Sequence, residues 1–294
     1  PVAYHQRSLR VESGANGEVF LHNERELDGV ANNLAQVMRH NAQHHPQRSF
    51  LAKRDASQQW QHLSYQQLWQ QASGIATWLI KQGYGQQNTV MIISGNSLEH
   101  AVMMYGCILA GVPVSSISTG YSLIAKDFAK LKFTVDLLKP DVIFCQNAAL
   151  FERPLAAISS PDIHLVYVED DITSRFKQHL VFADLLLDVD AALIDKSCAE
   201  LNHDSVAKYL FTSGSTGMPK AVINTHGMMC LNPLMRRAML KTSEDDAPQV
   251  QLDWLPWNHT FGGNSNLNGT MILAGTLYID DGRPLPGQFE QTVL

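Results

Sequence analysis

No apolar run in this 294-residue chain is long enough to cross a bilayer, which takes about 20 residues. The longest such stretch, 101–114, is broken by Gly106, Gly111 and Pro113. The first residues carry no secretion signal. The four cysteines (Cys107, Cys145, Cys198, Cys230) are far apart, with neither zinc spacing nor a disulfide framework. No basic stripe is present and the formal charge is −6, which argues against nucleic acid as a partner. A reduced, cytoplasmic protein that uses no membrane is the expectation. With 45% hydrophobic residues, the chain can bury one large core or two modest ones.

What is present is strand–helix alternation. Ser64-Tyr-Gln-Gln67 is a capping box that opens a long helix with Leu68, Ala72, Ile75 and Leu79 as its buried stripe and Gly83 as its stop. Residues 89–93, 112–117, 141–145 and 163–168 read as buried strands. Helices are expected over 28–40, from a cap at Ser97 to Gly111, over 123–138, and from a cap at Thr225 with Met228, Leu231, Met235 and Met239 on one face. Residues 1–27 show no period and read as irregular or as an edge strand, and 172–204 as a mixed connection. The fold class is therefore α/β: a mainly parallel sheet with helices on both faces. A second alternation starts at Val250 and begins a second sheet. The expected division is an N-terminal segment 1–27, a first α/β unit 28–200, and a unit 201–294 that starts the second.

The most informative stretch is Thr212-Ser213-Gly214-Ser215-Thr216-Gly217-Met218-Pro219-Lys220, between two apolar runs. Glycines allow close backbone approach to a ligand, loop N–H groups and hydroxyls favour anions, and Lys220 adds a mobile positive charge. This chemistry suits a polyphosphate. The common phosphate loop differs, because it needs Gly-Lys-Ser/Thr where Pro219, Lys220 and Ala221 stand. A polar hairpin loop between two strands is the plainer alternative.

The second informative stretch is Leu252-Asp-Trp-Leu-Pro-Trp-Asn-His-Thr-Phe-Gly-Gly263. Aromatics at a polar, glycine-rich turn suit a flat apolar ligand with a polar tip. Trp257 and Asn258 are candidate wall residues, while Trp254 is expected in the core. The alternative is a structural turn holding a satisfied histidine. His40, His44 and His45 cluster without a carboxylate or cysteine, and Asp280-Asp281-Gly282 lacks the rest of a calcium loop, so no metal site is assigned.

The order T-S-G-S-T-G-x-P-K resembles the phosphate loop of the adenylate-forming superfamily of acyl- and aryl-CoA synthetases, luciferases and peptide-synthetase adenylation domains. His259-Thr-Phe-Gly262 matches the superfamily's histidine followed by glycine. The wording of 255–264 and 275–283 is most similar to feruloyl-CoA synthetases. The resemblance implies an acid–CoA ligase. A carboxylate attacks the α-phosphorus of ATP, then coenzyme A takes the acyl group, with Mg²⁺ bridging phosphate oxygens. It gives Thr212 to Gly217 and Lys220 the β- and γ-phosphates, and sets His259, with Gly262, at the carboxylate end of a ferulate-like acid. Fatty acyl-CoA synthetase is the sister reading. A non-catalytic nucleotide-binding module and an adenylation domain feeding a carrier protein are the others.

The superfamily is roughly twice this length. This chain begins at Pro1, and 288–294 reads as the opening of an amphipathic helix. It is expected to be the front part of a larger enzyme, with the principal catalytic lysine beyond its end and no turnover alone. The apolar surface left by such a cut makes it a candidate for self-association.

Overall fold

The computed structural model describes residues 4–6, 8–24, 26–27, 29–172, 175–212, 217–240 and 247–280. The expected helix at 288–294, and Asp281 and Gly282, lie outside them.

A hairpin of β1 (Leu9–Ser13) and β2 (Val19–Asn23) comes first, followed by α1 (Leu34–His44), β3 (Ser49–Arg54) and β4 (Trp60–Ser64). Next come α2 (Tyr65–Lys81), β5 (Val90–Ile92), α3 (Leu98–Ala110), β6 (Val114–Ser116), α4 (Ala129–Leu138) and β7 (Val142–Asn147). Then α5 (Glu152–Ile158), β8 (His164–Glu169), β9 (Gln178–Val181), α6 (Ala191–Glu200), β10 (Val206–Thr212) and β11 (Lys220–Thr225). The last are α7 (His226–Ala238), β12 (Val250–Asp253), α8 (Gly269–Ile272) and β13 (Thr276–Ile279).

Seven strands form the main sheet in the order β11-β10-β6-β5-β7-β8-β9. All neighbours are parallel except β10 and β11. Strand residues alternate between faces, so each apolar run feeds two cores. Val90 and Ile92 join Val142, Phe144 and α3 on one face. Met91 and Ile93 join Ile143, Cys145, Leu131 of α4 and Leu155 of α5 on the other. A four-stranded sheet, β12-β13-β3-β4, draws half its strands from residues 49–64 and half from 250–279.

Local signals decide many boundaries. Ser64 and Gln67 form the capping box, and the four stripe residues of α2 are at most 1% exposed. Ser97 caps α3, and Gly111 ends it with φ 69°. A Cβ on Gly106 would come within 2.5 Å of the Ile75 side chain, so glycine lets α3 pack closely on α2.

Three expectations are corrected. The helix expected from residue 28 starts at Leu34, because the Asn33 side chain accepts from Gln36 N and acts as its cap. The helix expected over 123–138 is split: a wide turn covers Gly120–Ile124, and Phe128 takes φ 55° before α4 begins. The connection 172–204 contains β9 and α6.

β1 and β2 form their own two-stranded sheet, both strands exposed throughout. Thr225 caps α7, but Met228, Met235 and Met239 lie on its outer face, each more than half exposed. His40 and His44 stack at 4.0 Å, and no three His, Cys, Asp or Glu gather among the described residues. No helix among them is long and apolar enough to cross a membrane.

Candidate active site

The main sheet has a switch point at β5. From β5 the chain passes through α3 to β6 on one side, then through α4 to β7 on the other. The two helices pack on opposite faces, so their starts diverge and leave a crevice beyond the carboxyl end of β5. A cleft of about 320 Å³ opens there. Ser94, Gly95 and Asn96 after β5 line it with Thr119 after β6. Lys53 of β3 and the turn 254–258 form further walls.

Asn96 ties this turn to the sheet. Its Nδ2 donates to Leu255 O at 2.9 Å, and its Oδ1 accepts from Trp257 N at 3.1 Å. Lys53 Nζ donates to Asn96 O at 2.8 Å. His100 lies beneath, with one ring nitrogen 2.9 Å from Gly95 O and the other 2.8 Å from Ser116 Oγ. Burial lowers its pKa to about 4, so the ring is neutral and holds the β5 and β6 ends together. Trp257 packs edge-on against it with centroids 5.0 Å apart.

Trp257 lines the cleft as expected, whereas Trp254 is not the core residue expected. Trp254 is 36% exposed and forms a cleft wall, while Trp257 is 1% exposed and belongs to the core it also closes. The peptide N–H of Trp257 is held by Asn96 and its ring packs on His100, whereas Trp254 follows the end of β12 and stays outside. Asn258 lines the cleft and is half-buried.

His259 is exposed and does not line the cleft. Its Nδ1 accepts from Phe261 N at 3.3 Å, which leaves Nε2 to carry the ring proton. The wide turn Phe261–Asn268 then winds back onto residues 255–257. A Cβ on Gly262 would lie 2.6 Å from Pro256 O, and one on Gly263 2.3 Å from Trp257 O. The glycine pair is therefore required by backbone contact, and Gly262 is buried.

Thr212 and Lys220 face each other across the β10–β11 ladder, with Thr212 Oγ1 donating to Lys220 O at 3.4 Å. Ser213, Gly214, Ser215 and Thr216 lie outside the described residues. Gly217 has φ 92°, a conformation that suits glycine alone, and Lys220 is exposed. Because β10 runs parallel to β6, this hairpin tip lies on the same carboxyl edge of the sheet as the cleft.

Residues 38–293 match the family described as AMP-binding enzyme. The chain belongs to that family. A putative 4-coumarate–CoA ligase-like protein of Oryza sativa subsp. japonica is 25% identical over 71% of this chain and 33% of its own length. The nonribosomal peptide synthetase nlsA of Emericella nidulans is 24% identical over 71% of this chain and 3% of its own. The fatty acyl-adenylate ligase of L. pneumophila, solved with acyl adenylate and pyrophosphate, superposes with TM-score 0.64 at 18% identity, over 89% of this chain and 42% of that one. The chain thus spans a third or less of these curated relatives. Its α/β fold is that of the N-terminal part of adenylate-forming enzymes.

The AMP-binding family includes CoA ligases and peptide synthetases, which activate acids with ATP and Mg²⁺.

One group in this AMP-binding chain was not singled out from the sequence. Lys208 of β10 is 3% exposed, and its Nζ reaches Gly263 O at 3.3 Å. Burial lowers its pKa to about 7. The available signal was a lysine at an inward position of an otherwise apolar strand, two residues before buried Leu210. His100 and Asn96 gave no comparable signal, since their partners lie in separate segments.

Proposed function

We propose that this chain is the front part of an ATP-dependent acid–CoA ligase that activates ferulate or a related hydroxycinnamic acid. The observation that carries the reading is the β10–β11 hairpin. It sets Thr212 opposite Lys220 on the carboxyl edge of a parallel sheet, close in topology to the 252–263 turn. Family membership and the wording of that turn support it.

In this mechanism the acid's carboxylate oxygen attacks the α-phosphorus of ATP. The bond to the bridging oxygen breaks and pyrophosphate leaves. The sulfur of coenzyme A then attacks the acyl carbon, and AMP departs with the electron pair of the acyl–oxygen bond. A carboxylate is a weak nucleophile, so positioning and charge neutralisation supply most of the rate. Lys220 and the hydroxyl of Thr212 would hold the β- and γ-phosphates as charge moves onto pyrophosphate. His259, exposed and with its Nε2 proton turned from the backbone bond, would donate to the carboxylate. Asn96 and the glycine pair fix the turn that presents it.

The deciding experiment is acid-dependent ATP–pyrophosphate exchange by the full-length protein with ferulate, benzoate and a long-chain fatty acid in parallel. Exchange with ferulate alone is the expected result. Exchange with the fatty acid alone would replace the substrate class. Exchange with none would leave the loop as a binding feature of a non-catalytic module.

A further inference from the structure

Lys208 and Asn224 are direct partners in the β10–β11 ladder, so their side chains leave the same face of the sheet. Both are buried, at 3% and 8% exposure. The wide turn lies over them. Gly263 O accepts from Lys208 Nζ at 3.3 Å, and the next residue, Asn264, donates from Nδ2 to Asn224 Oδ1 at 2.7 Å. Asn224 Nδ2 is itself used, donating to Val222 O at 3.0 Å.

This small cluster does not close on itself. An ammonium offers three N–H donors, and one long hydrogen bond occupies only one of them. No carboxylate pairs with Lys208 among the described residues. The Asn264 side-chain oxygen is shielded from solvent and has no partner there. Buried polar groups are nearly always bonded, and leaving both a donor and an acceptor open under one turn is costly. A hydroxyl satisfies both at once, because it accepts from an amine through one lone pair and donates its proton to an amide oxygen. A carboxylate would serve the amine and repel the amide oxygen, and an alkyl group would serve neither.

The position bears on the acid. Gly263 N donates to His259 O at 2.8 Å, so one backbone turn links the cluster to the residue placed at the carboxylate. Resting on the adenylation reading above, we infer that Lys208 and Asn264 form a hydroxyl-reading end of the acid pocket and select hydroxylated aromatic acids over their unsubstituted analogues. Lys208 Nζ donates to the hydroxyl oxygen, and the hydroxyl donates to Asn264 Oδ1. With its pKa lowered to about 7 by burial, the Lys208 amine can sit in the protein neutral and still keep its N–H donors.

The test uses the full-length protein and acids paired by one hydroxyl: cinnamate with 4-hydroxycinnamate, and benzoate with 4-hydroxybenzoate. ATP–pyrophosphate exchange gives kcat/KM for each. A site built to bond a substrate hydroxyl rejects the analogue lacking it by up to about 10⁴-fold, and a preference of at least about tenfold is expected. Lys208→Met and Asn264→Leu should each collapse that ratio toward one. Thermal shift with the same pairs needs no turnover: the hydroxylated acid should raise Tm further than its partner, and no longer do so in Lys208→Met. An unchanged preference in both variants overturns the inference and makes the cluster purely structural. Absence of exchange with every acid sinks the adenylation reading instead, and the thermal shifts then decide the inference alone.

Discussion

His100 and Lys208 are both buried bases near the carboxyl edge of the main sheet, yet their surroundings treat them oppositely. His100 has a partner on each ring nitrogen and an aromatic face against Trp257. Lys208 has a single long bond to the backbone carbonyl of Gly263, and the side-chain oxygen of the next residue, Asn264, has none. A satisfied buried base fixes structure, and an undersatisfied one keeps bonding capacity for a ligand. The His100 ring is satisfied within the chain. The Lys208 cluster is built to be completed.

The comparison can be broken in three places. The largest effect belongs to Lys220, the exposed lysine at the start of β11. In the full-length protein, Lys220→Ala should lower ATP–pyrophosphate exchange about a thousandfold. Its circular dichroism should stay unchanged, since no packing is lost; an unaltered rate would remove the lysine from phosphate binding.

Next comes His100→Phe, which keeps the volume but strands Gly95 O and Ser116 Oγ. Loss of about 1–3 kcal/mol in urea unfolding is expected. The variant should also lose a pH dependence. The His100 pKa is about 4 in the folded chain and about 6.5 when exposed, so the unfolded state binds more protons between these values. Its stabilisation is full above about pH 6.5 and is lost as pH falls toward 4. The wild type should therefore show a steeper acid loss than the variant.

The third effect is of similar size and has the opposite sign. Lys208→Met removes a buried amine that is partly charged at pH 7 and should raise stability by about 1–3 kcal/mol there, even as it removes hydroxyl selection. The lysine pKa is about 7 folded against 10.5 unfolded, so the unfolded state binds more protons between them. Wild-type stability should rise from pH 7 toward 10.5, and that rise should be missing from Lys208→Met. A destabilised Lys208→Met would place the lysine with His100 as a structural group.

Legibility followed the range of the interactions. The capping box at Ser64, the Ser97 cap and the Gly111 stop were readable because both partners lie within a few residues. The split before α4 was not, because Phe128 takes a left-handed backbone that an apolar period does not announce. β3 and β4 escaped notice since their polar–apolar pattern gains meaning only against β13, more than two hundred residues on. At the candidate site, the 212–220 hairpin and His259 stood out by residue type and spacing. Trp254 did not sort correctly, because whether an aromatic after a strand end is covered depends on the assembled fold.

The sequence by itself determined the parallel α/β architecture, several helix caps and the two stretches proposed to carry chemistry. These depend on periodicity, caps and loop composition, all local. Tertiary structure alone decided that strands from both ends share the second sheet, that a cleft opens where α3 and α4 part, and that Lys208 meets Asn264. Those facts depend on desolvation and on partners far apart in the chain, and burial is a property of the assembled fold.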